Sequence, residues 1–441
     1  MAANGSTSNS SPSELPGRYE AMRPWSNPLV WVWLGLTLLI AIALAGTALR
    51  SISRYDDPQT APFDRARQGQ FDFHNGVYFP AAAFVRGVSP YGEEFASQFP
   101  VTRPLPLMSP LILVIHAPLA LLPVRVAAVV YFGLNILLMV GLAWLSVRWL
   151  PLGPRRITWW LVSLLLIVAS RSGHTTLYTG YITAEMVVGT VLALSTSRSR
   201  PWISAIGVAI ASCKPTYAIP LFLLMLARGD YRAAGRGLGL SVAGALLGAG
   251  RLLLVSTPLQ LWSDLQHGQA AHMADPYELP VHTWTRIDLL ALVAKWTEWA
   301  PSELTHLIVM VCLLPLPILA LWKLRHASVI ETASSHSSSI IAVSILATLY
   351  HHVYDALLLF PAIIGLLLGH PSLQHTRQSF RWIVALTLLF VAWNYPGSEL
   401  IVNATGISGI PLRWLTSAGP IALACAWLAL CIIPSRPACS R

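Results

Sequence analysis

Charge is scarce in this chain: Asp, Glu, Lys and Arg make up 11% of its 441 residues, where soluble domains carry roughly 25%. Set beside 55% hydrophobic residues, that shortage excludes an ordinary water-soluble fold. Acids are scarcer than bases, 19 against 29, which leaves a formal net charge of +10. The bases sit in short clusters between apolar runs and form no single stripe, so no nucleic acid is expected and anionic lipid headgroups are the fitting partner. Cysteine is limited to Cys213, Cys312, Cys425, Cys431 and Cys439, an odd number without metal spacing, so no disulfide framework follows. A P-loop, a dinucleotide fingerprint, HExxH and GxSxG are all absent, which removes the motif basis for nucleotide-driven transport and for hydrolase chemistry. No internal repeat or inverted pair of halves is evident either, which weighs against a transporter.

What the chain has in abundance is apolar runs, recurring from Asn27 to Pro434 at lengths suited to a hydrocarbon core of about 30 Å. They predict an all-α, polytopic integral membrane protein with one transmembrane domain over 27–434. The opening MAANGSTSNSSPSELPGRYEAM is polar and Ser-rich and lacks the parts of a signal peptide. Residues 1–26 are therefore expected to be disordered and cytoplasmic, with a cytoplasmic tail at 435–441. Spans are expected to start near residues 28, 124, 157, 181, 201, 215, 236, 304, 338, 355, 381 and 412, about twelve in all, several of them short for a bilayer of about 30 Å. The proline-broken LPLMSPLILVIHAPLALLP (105–123) is short, and is expected to be re-entrant or interfacial.

Leaving that segment out of the count puts every later basic cluster on the cytoplasmic side, as the positive-inside rule asks. These are RWLPLGPRR (148–156), Arg198 with Arg200, the group Arg228, Arg232 and Arg236, Lys323 with Arg325, Arg377 with Arg381, and Arg436 with Arg441. Five segments then fall outside: 50–106, 171–181, 256–303, 349–358 and 394–413. The Ser-rich ASVIETASSHSSS (327–339) reads as a solvated cytoplasmic linker.

The outer segments hold most of the acids and histidines. In QFDFHNGVYFPAAAFVRGVSPYG (70–92), Asp72 stands between two phenylalanines ahead of FPAAAFV, a helix-like patch expected to lie on the membrane surface. A carboxylate held there can act as general base towards a hydroxyl nucleophile. The same loop offers His74, Tyr78, Arg86 and Tyr91 to a substrate, and Asp56, Asp57, Asp64, Glu93 and Glu94 as competing acids.

YHHVYD (350–355) interrupts an apolar stretch running from Ile340 to Leu368, and ionisable groups at membrane depth are functional hypotheses by default. On one helix His351 and Asp355 would share a face, with His352 pointing elsewhere. His351 or His352 can bind phosphate or sugar, beside Tyr354; the bland alternative is a helix-end histidine satisfied by headgroup water. ASCKPTYAIP (211–220) carries Lys214 at a proline break, where it either snorkels or meets a lipid phosphate. Arg171 is a second cation on the same side, and Glu185, inside an apolar run, needs a partner. Loop 256–303 is rich in aromatics and acids, suited to stacking on a sugar or simply to an interface.

The order of these features resembles glycosyltransferase family 87. It runs from a first span to Asp72 with Tyr78-Phe79, Ala81-Ala82 and Arg86-Gly87-Val88-Ser89-Pro90-Tyr91, then PLALLP, Lys214-Pro215, and HHVYD followed by LLLFP. The resemblance covers roughly residues 25 to 395. It implies the GT-C fold with a large first outer loop, a polyprenyl-phosphate sugar as donor, a lipid-linked or cell-envelope glycan as acceptor, and no cofactor or metal. It implies Asp72 as the catalytic base, although the Asp72–Tyr78 spacing departs from the family's and leaves Asp64 as the alternative. It further implies that His351 or His352 helps at the donor phosphate and that Lys214 is structural or phosphate-binding, with Arg171 as an added cation and Tyr354 and Asp355 near the substrate. The expected activity is inverting transfer of a hexose, mannose foremost, on the outer face of a plasma membrane. The rival expectation is a transporter or flippase of lipid-linked saccharides.

Overall fold

A backbone in lipid must satisfy its own N–H and C=O groups, which leaves helices as the economical answer for a chain this apolar. The computed structural model describes residues 28–55, 69–275, 278–279, 285–325 and 331–433. Among these residues there are helices and no strands, with one isolated antiparallel bridge between Arg286 and His352. Asp56, Asp57, Asp64 and both expected termini lie outside the described residues.

A helix begins within a few residues of every expected span start. Their lengths do not confirm about twelve spans. Four are long and apolar enough to cross a membrane: Pro28–Ser53, Val124–Val147, Glu303–Leu324 and Gly409–Ile432. Most of the others are cut short, commonly where a proline starts the next element, whereas Tyr231–Leu252 has 22 residues but is less apolar, with Arg232, Arg236 and Arg251. Pro201–Ala211 has 11 residues, about 17 Å at 1.5 Å per residue, against a core of about 30 Å. The segment expected to be re-entrant is a helix over Leu111–His116 continued by a 3₁₀ turn to Leu121, also too short to cross.

His336–Thr348 is buried at every position and forms the centre, packed by the helices Pro215–Arg228 and Gly409–Ile432. Its polar side chains are satisfied locally or across the core, as where Ser339 Oγ and Thr348 Oγ1 donate to the Ser335 and Ser344 carbonyls at 2.8 Å. At the periphery Pro28–Ser53 turns Trp31, Leu38, Ile42 and Leu49 outward, an apolar surface of the kind that faces lipid. Glu185 finds its partners inside: His116 Nε2 lies 3.0 Å from Oε1, and the Tyr131 hydroxyl donates to the same oxygen at 2.7 Å.

Two local expectations are revised. FPAAAFV forms the helix Phe79–Arg86, but Phe79 through Phe84 are buried against the 3₁₀ turn Ala117–Leu121 and the Phe95 and Phe99 rings, and do not form an exposed surface. Of the described part of the Ser-rich linker, 331–339, the residues from Thr332 to Ser339 are buried as well. There Ser335 caps the central helix by accepting from Ser338 N, and Arg228 Nη1 donates to Ser338 Oγ at 3.1 Å.

Candidate active site

Pro215 has no N–H and disfavours a helical residue before it, so the chain breaks at Lys214, which is extended at φ −114° and ψ 113°. Lys214 therefore starts the helix Pro215–Arg228 with its side chain turned inward, 5% exposed. Its Nζ donates to Asp355 Oδ2 at 3.0 Å and lies over the rings of Tyr181, Tyr217 and Tyr354 at 5.5, 5.6 and 5.7 Å.

YHHVYD is a second break. The central helix stops at Thr348, the chain runs extended through His352, and a 3₁₀ helix follows over Val353–Leu359. His351 and Asp355 do meet, Nδ1 to Oδ2 at 3.0 Å, but across this cap and not on one helical face. Asp355 is fully buried and accepts also from His352 N at 3.0 Å and from the Tyr217 hydroxyl at 2.9 Å. One carboxylate thus gathers Lys214, His351 and the His352 backbone.

These two breaks open onto a cavity of about 720 Å³, within the usual range for small-ligand sites. Asp72, Lys214, His352 and Tyr354 all line it, with Tyr181, Glu278 and Tyr350. Its wall comes from four of the five segments expected to share one side, 50–106, 171–181, 256–303 and 349–358, together with the Lys214 break. Asp72 sits in the short helix Phe71–Phe73, which runs into a π-helical turn over His74–Tyr78. Such turns are rare and often mark functional sites.

The remaining predicted residues stand off the wall. His351 and Asp355 lie behind Lys214 and orient it. Arg171, 6% exposed, donates to the Asn394 carbonyl at 2.7 Å, which ties in the segment 394–413. His74 is buried with Nε2 at 3.2 Å from the Tyr55 hydroxyl. The hydroxyls of Tyr78 and Tyr91 donate to the Leu122 and Met108 carbonyls at 2.8 and 3.0 Å, and the Arg86 guanidinium lies 5.2 Å from the centre of the Phe99 ring. These four brace the loop that carries Asp72.

Arg103 and Glu278 were missed. Arg103 donates to Asp275 Oδ2 and Glu278 Oε1, each at 2.6 Å, and Glu278 Oε2 lies 3.1 Å from His352 Nε2. Burial alone would favour a neutral Glu278. The hydrogen bond and charge of His352, with His272 and Arg103, outweigh it and hold the carboxyl well below the usual carboxylate range. The signal was weak: a lone arginine before a proline, and a glutamate in DPYELP 175 residues on.

Four apolar helices of membrane-spanning length, together with a cavity lined by Asp72, Lys214, Glu278 and His352, fit a helical membrane protein with a candidate ligand site. The model of glycosyltransferase family 87 matches residues 108–361, more than half of the chain. The chain belongs to glycosyltransferase family 87 and is a glycosyltransferase, with a sugar donor and an acceptor as its substrates. The matched region contains Lys214, Glu278 and YHHVYD, while Asp72 precedes it. No curated protein and no solved structure matches the chain.

Proposed function

We propose that the protein transfers a hexose, mannose foremost, from a polyprenyl-phosphate sugar to a lipid-linked or cell-envelope glycan on the outer face of the plasma membrane. The observation that carries this reading is the cavity shared by Asp72, Lys214 and His352. A donor tethered in lipid presents its anomeric carbon at the interface and needs no nucleotide site. Asp72 takes the proton of the acceptor hydroxyl as its oxygen attacks the anomeric carbon with inversion. The bond from that carbon to the phosphate oxygen breaks, and the electron pair leaves with the polyprenyl phosphate. Lys214 and His352 face the negative charge that develops there. Asp355 and His351 act from behind by fixing Lys214.

The test is transfer of radiolabelled sugar from a panel of polyprenyl-phosphate donors by the full-length protein. Wild type is expected to turn over one of them, and Asp72→Asn to lose about a hundredfold or more in rate, the range of a removed general base, while still folding. Transfer by Asp72→Asn at the wild-type rate would sink the mechanism. A flippase of lipid-linked saccharides would move the donor across vesicles without forming a new glycosidic bond.

A further inference from the structure

Glu278 takes no part in the scheme above, yet it is 6% exposed at the cavity wall and fully engaged there. Its Oε2 faces both His352 Nε2, at 3.1 Å, and the Tyr350 hydroxyl, which donates to it. On the opposite edge of the same imidazole, Nδ1 lies 2.6 Å from Thr285 Oγ1. Its Oε1 accepts from Arg103 Nη2 at 2.6 Å, while Arg103 Nη1 is held by Asp275 at the same distance. Arg103 belongs to segment 50–106, which also carries Asp72; Asp275 and Glu278 belong to segment 256–303.

The His352 Nε2 also meets the Tyr350 hydroxyl. An ionised carboxylate only accepts hydrogen bonds and that hydroxyl gives its one proton to Glu278, so the His352 nitrogen facing both carries a proton. With Thr285 on the other edge, the ring has one orientation and a defined protonated face. The Arg103 fork pins Glu278 in turn, and a buried carboxylate bound this way is costly to displace.

We propose that Glu278 is a positioning residue for glycosyl transfer: it sets the orientation and the protonated edge of His352, and Arg103 anchors it from the loop that bears Asp72. The proposal rests on the glycosyl-transfer reading of this cavity. It makes the junction of the two segments part of the catalytic geometry, because either one moving would shift His352 relative to Asp72.

The experiment measures kcat, donor KM and unfolding temperature of the full-length protein with polyprenyl-phosphate mannose. Glu278→Gln keeps the shape and loses the charge. It is expected to lower kcat by about tenfold or more, with donor KM within about threefold and the unfolding temperature nearly unchanged. Glu278→Asp is expected to restore part of kcat. Wild-type kcat in Glu278→Gln, or a loss confined to KM, overturns the proposal. Should Glu278→Gln fail to fold, Arg103→Gln, whose side chain is 19% exposed, decides: a fall in kcat at constant KM supports it, and an unchanged kcat overturns it. Full activity in Glu278→Gln beside a dead Asp72→Asn would discard this inference and keep the function. Absence of transfer by wild type from every polyprenyl-phosphate sugar would discard the function and this role together.

Discussion

Lys214 Nζ lies 3.0 Å from Asp355 Oδ2, joining two chain breaks that are 141 residues apart. Both side chains are buried, so the attraction serves chiefly to offset the cost of taking two charges from water. Removing one partner leaves the other uncompensated. Asp355→Asn is expected to destabilise the protein by roughly 3–5 kcal/mol and to lower sugar transfer more than tenfold. Asp355→Asn with Lys214→Met should recover much of the stability and none of the transfer. Thermal unfolding in detergent, read beside a transfer assay, checks both; a double variant no more stable than Asp355→Asn alone would contradict the pairing.

Gly180 places a turn against the loop that holds Asp72. Its φ is +69°, and a Cβ there would meet Gln70 Oε1 at 2.5 Å and Phe73 Cβ at 2.7 Å. Gln70 and Phe73 flank the Asp72 helix, so the substitution strains one segment and pushes the other. Gly180→Ala is expected to cost about 1–3 kcal/mol and to reduce transfer more than the loss of folded protein explains. Specific activity per folded molecule, taken from size-exclusion yield, is the measurement; an unchanged value would mean that the loop yields without moving Asp72.

The features that local chemistry dictates were readable from the sequence. Pro215 announces the break at Lys214, and two histidines inside an apolar run announce the one at YHHVYD. Counting basic clusters put on one side the segments that supply most of the cavity wall, because charge asymmetry acts segment by segment. Pairings across the chain were not readable. Nothing near Arg103 names Glu278, and nothing near Arg228 names Ser338, 110 residues away. The Ser-rich stretch misled for that reason: its composition is that of a solvated linker, and distant partners, Arg228, Ser146, His370 and Leu430 among them, make its burial tolerable. FPAAAFV misled because three small alanines suit close packing inside the protein as well as an interface.

Arg228 supplies a stability test remote from the cavity. It is fully buried at the end of the 14-residue helix that Lys214 begins, about 21 Å along the axis at 1.5 Å per residue. Its guanidinium pairs with Asp230 and donates to the Leu194 carbonyl at 3.1 Å and Ser197 Oγ at 3.2 Å. Arg228→Leu would leave Asp230 buried with only the longer Arg198 contact at 3.6 Å. The expected loss is roughly 3–5 kcal/mol, seen as a lower unfolding temperature, with kcat of the folded fraction unchanged. A wild-type unfolding temperature would show that the network stabilises nothing.

His174 ties the segment 171–181 to the end of the first helix, and its charge state sets a pH dependence. Nδ1 lies 2.9 Å from Thr47 Oγ1 and Nε2 lies 3.0 Å from Arg50 Nη1. Arginine only donates, so Nε2 accepts, and the ring is neutral with its proton on Nδ1. Burial first, and then the Arg50 charge, lower its pKa from the ordinary 6.5 to about 4. Between those values the unfolded chain binds a proton that the folded one refuses, so stability rises with pH across the window and falls on acidification. Above about 6.5 neither state is protonated and His174 contributes no slope. The unfolding temperature of wild type should therefore drop between about pH 6.5 and 4 by more than that of His174→Gln, which has no proton to take up. Carboxylates titrating at the low end act on both proteins alike, so the difference between the two curves isolates the histidine. Parallel curves across that window would mean that His174 is free to leave Arg50 when it becomes charged.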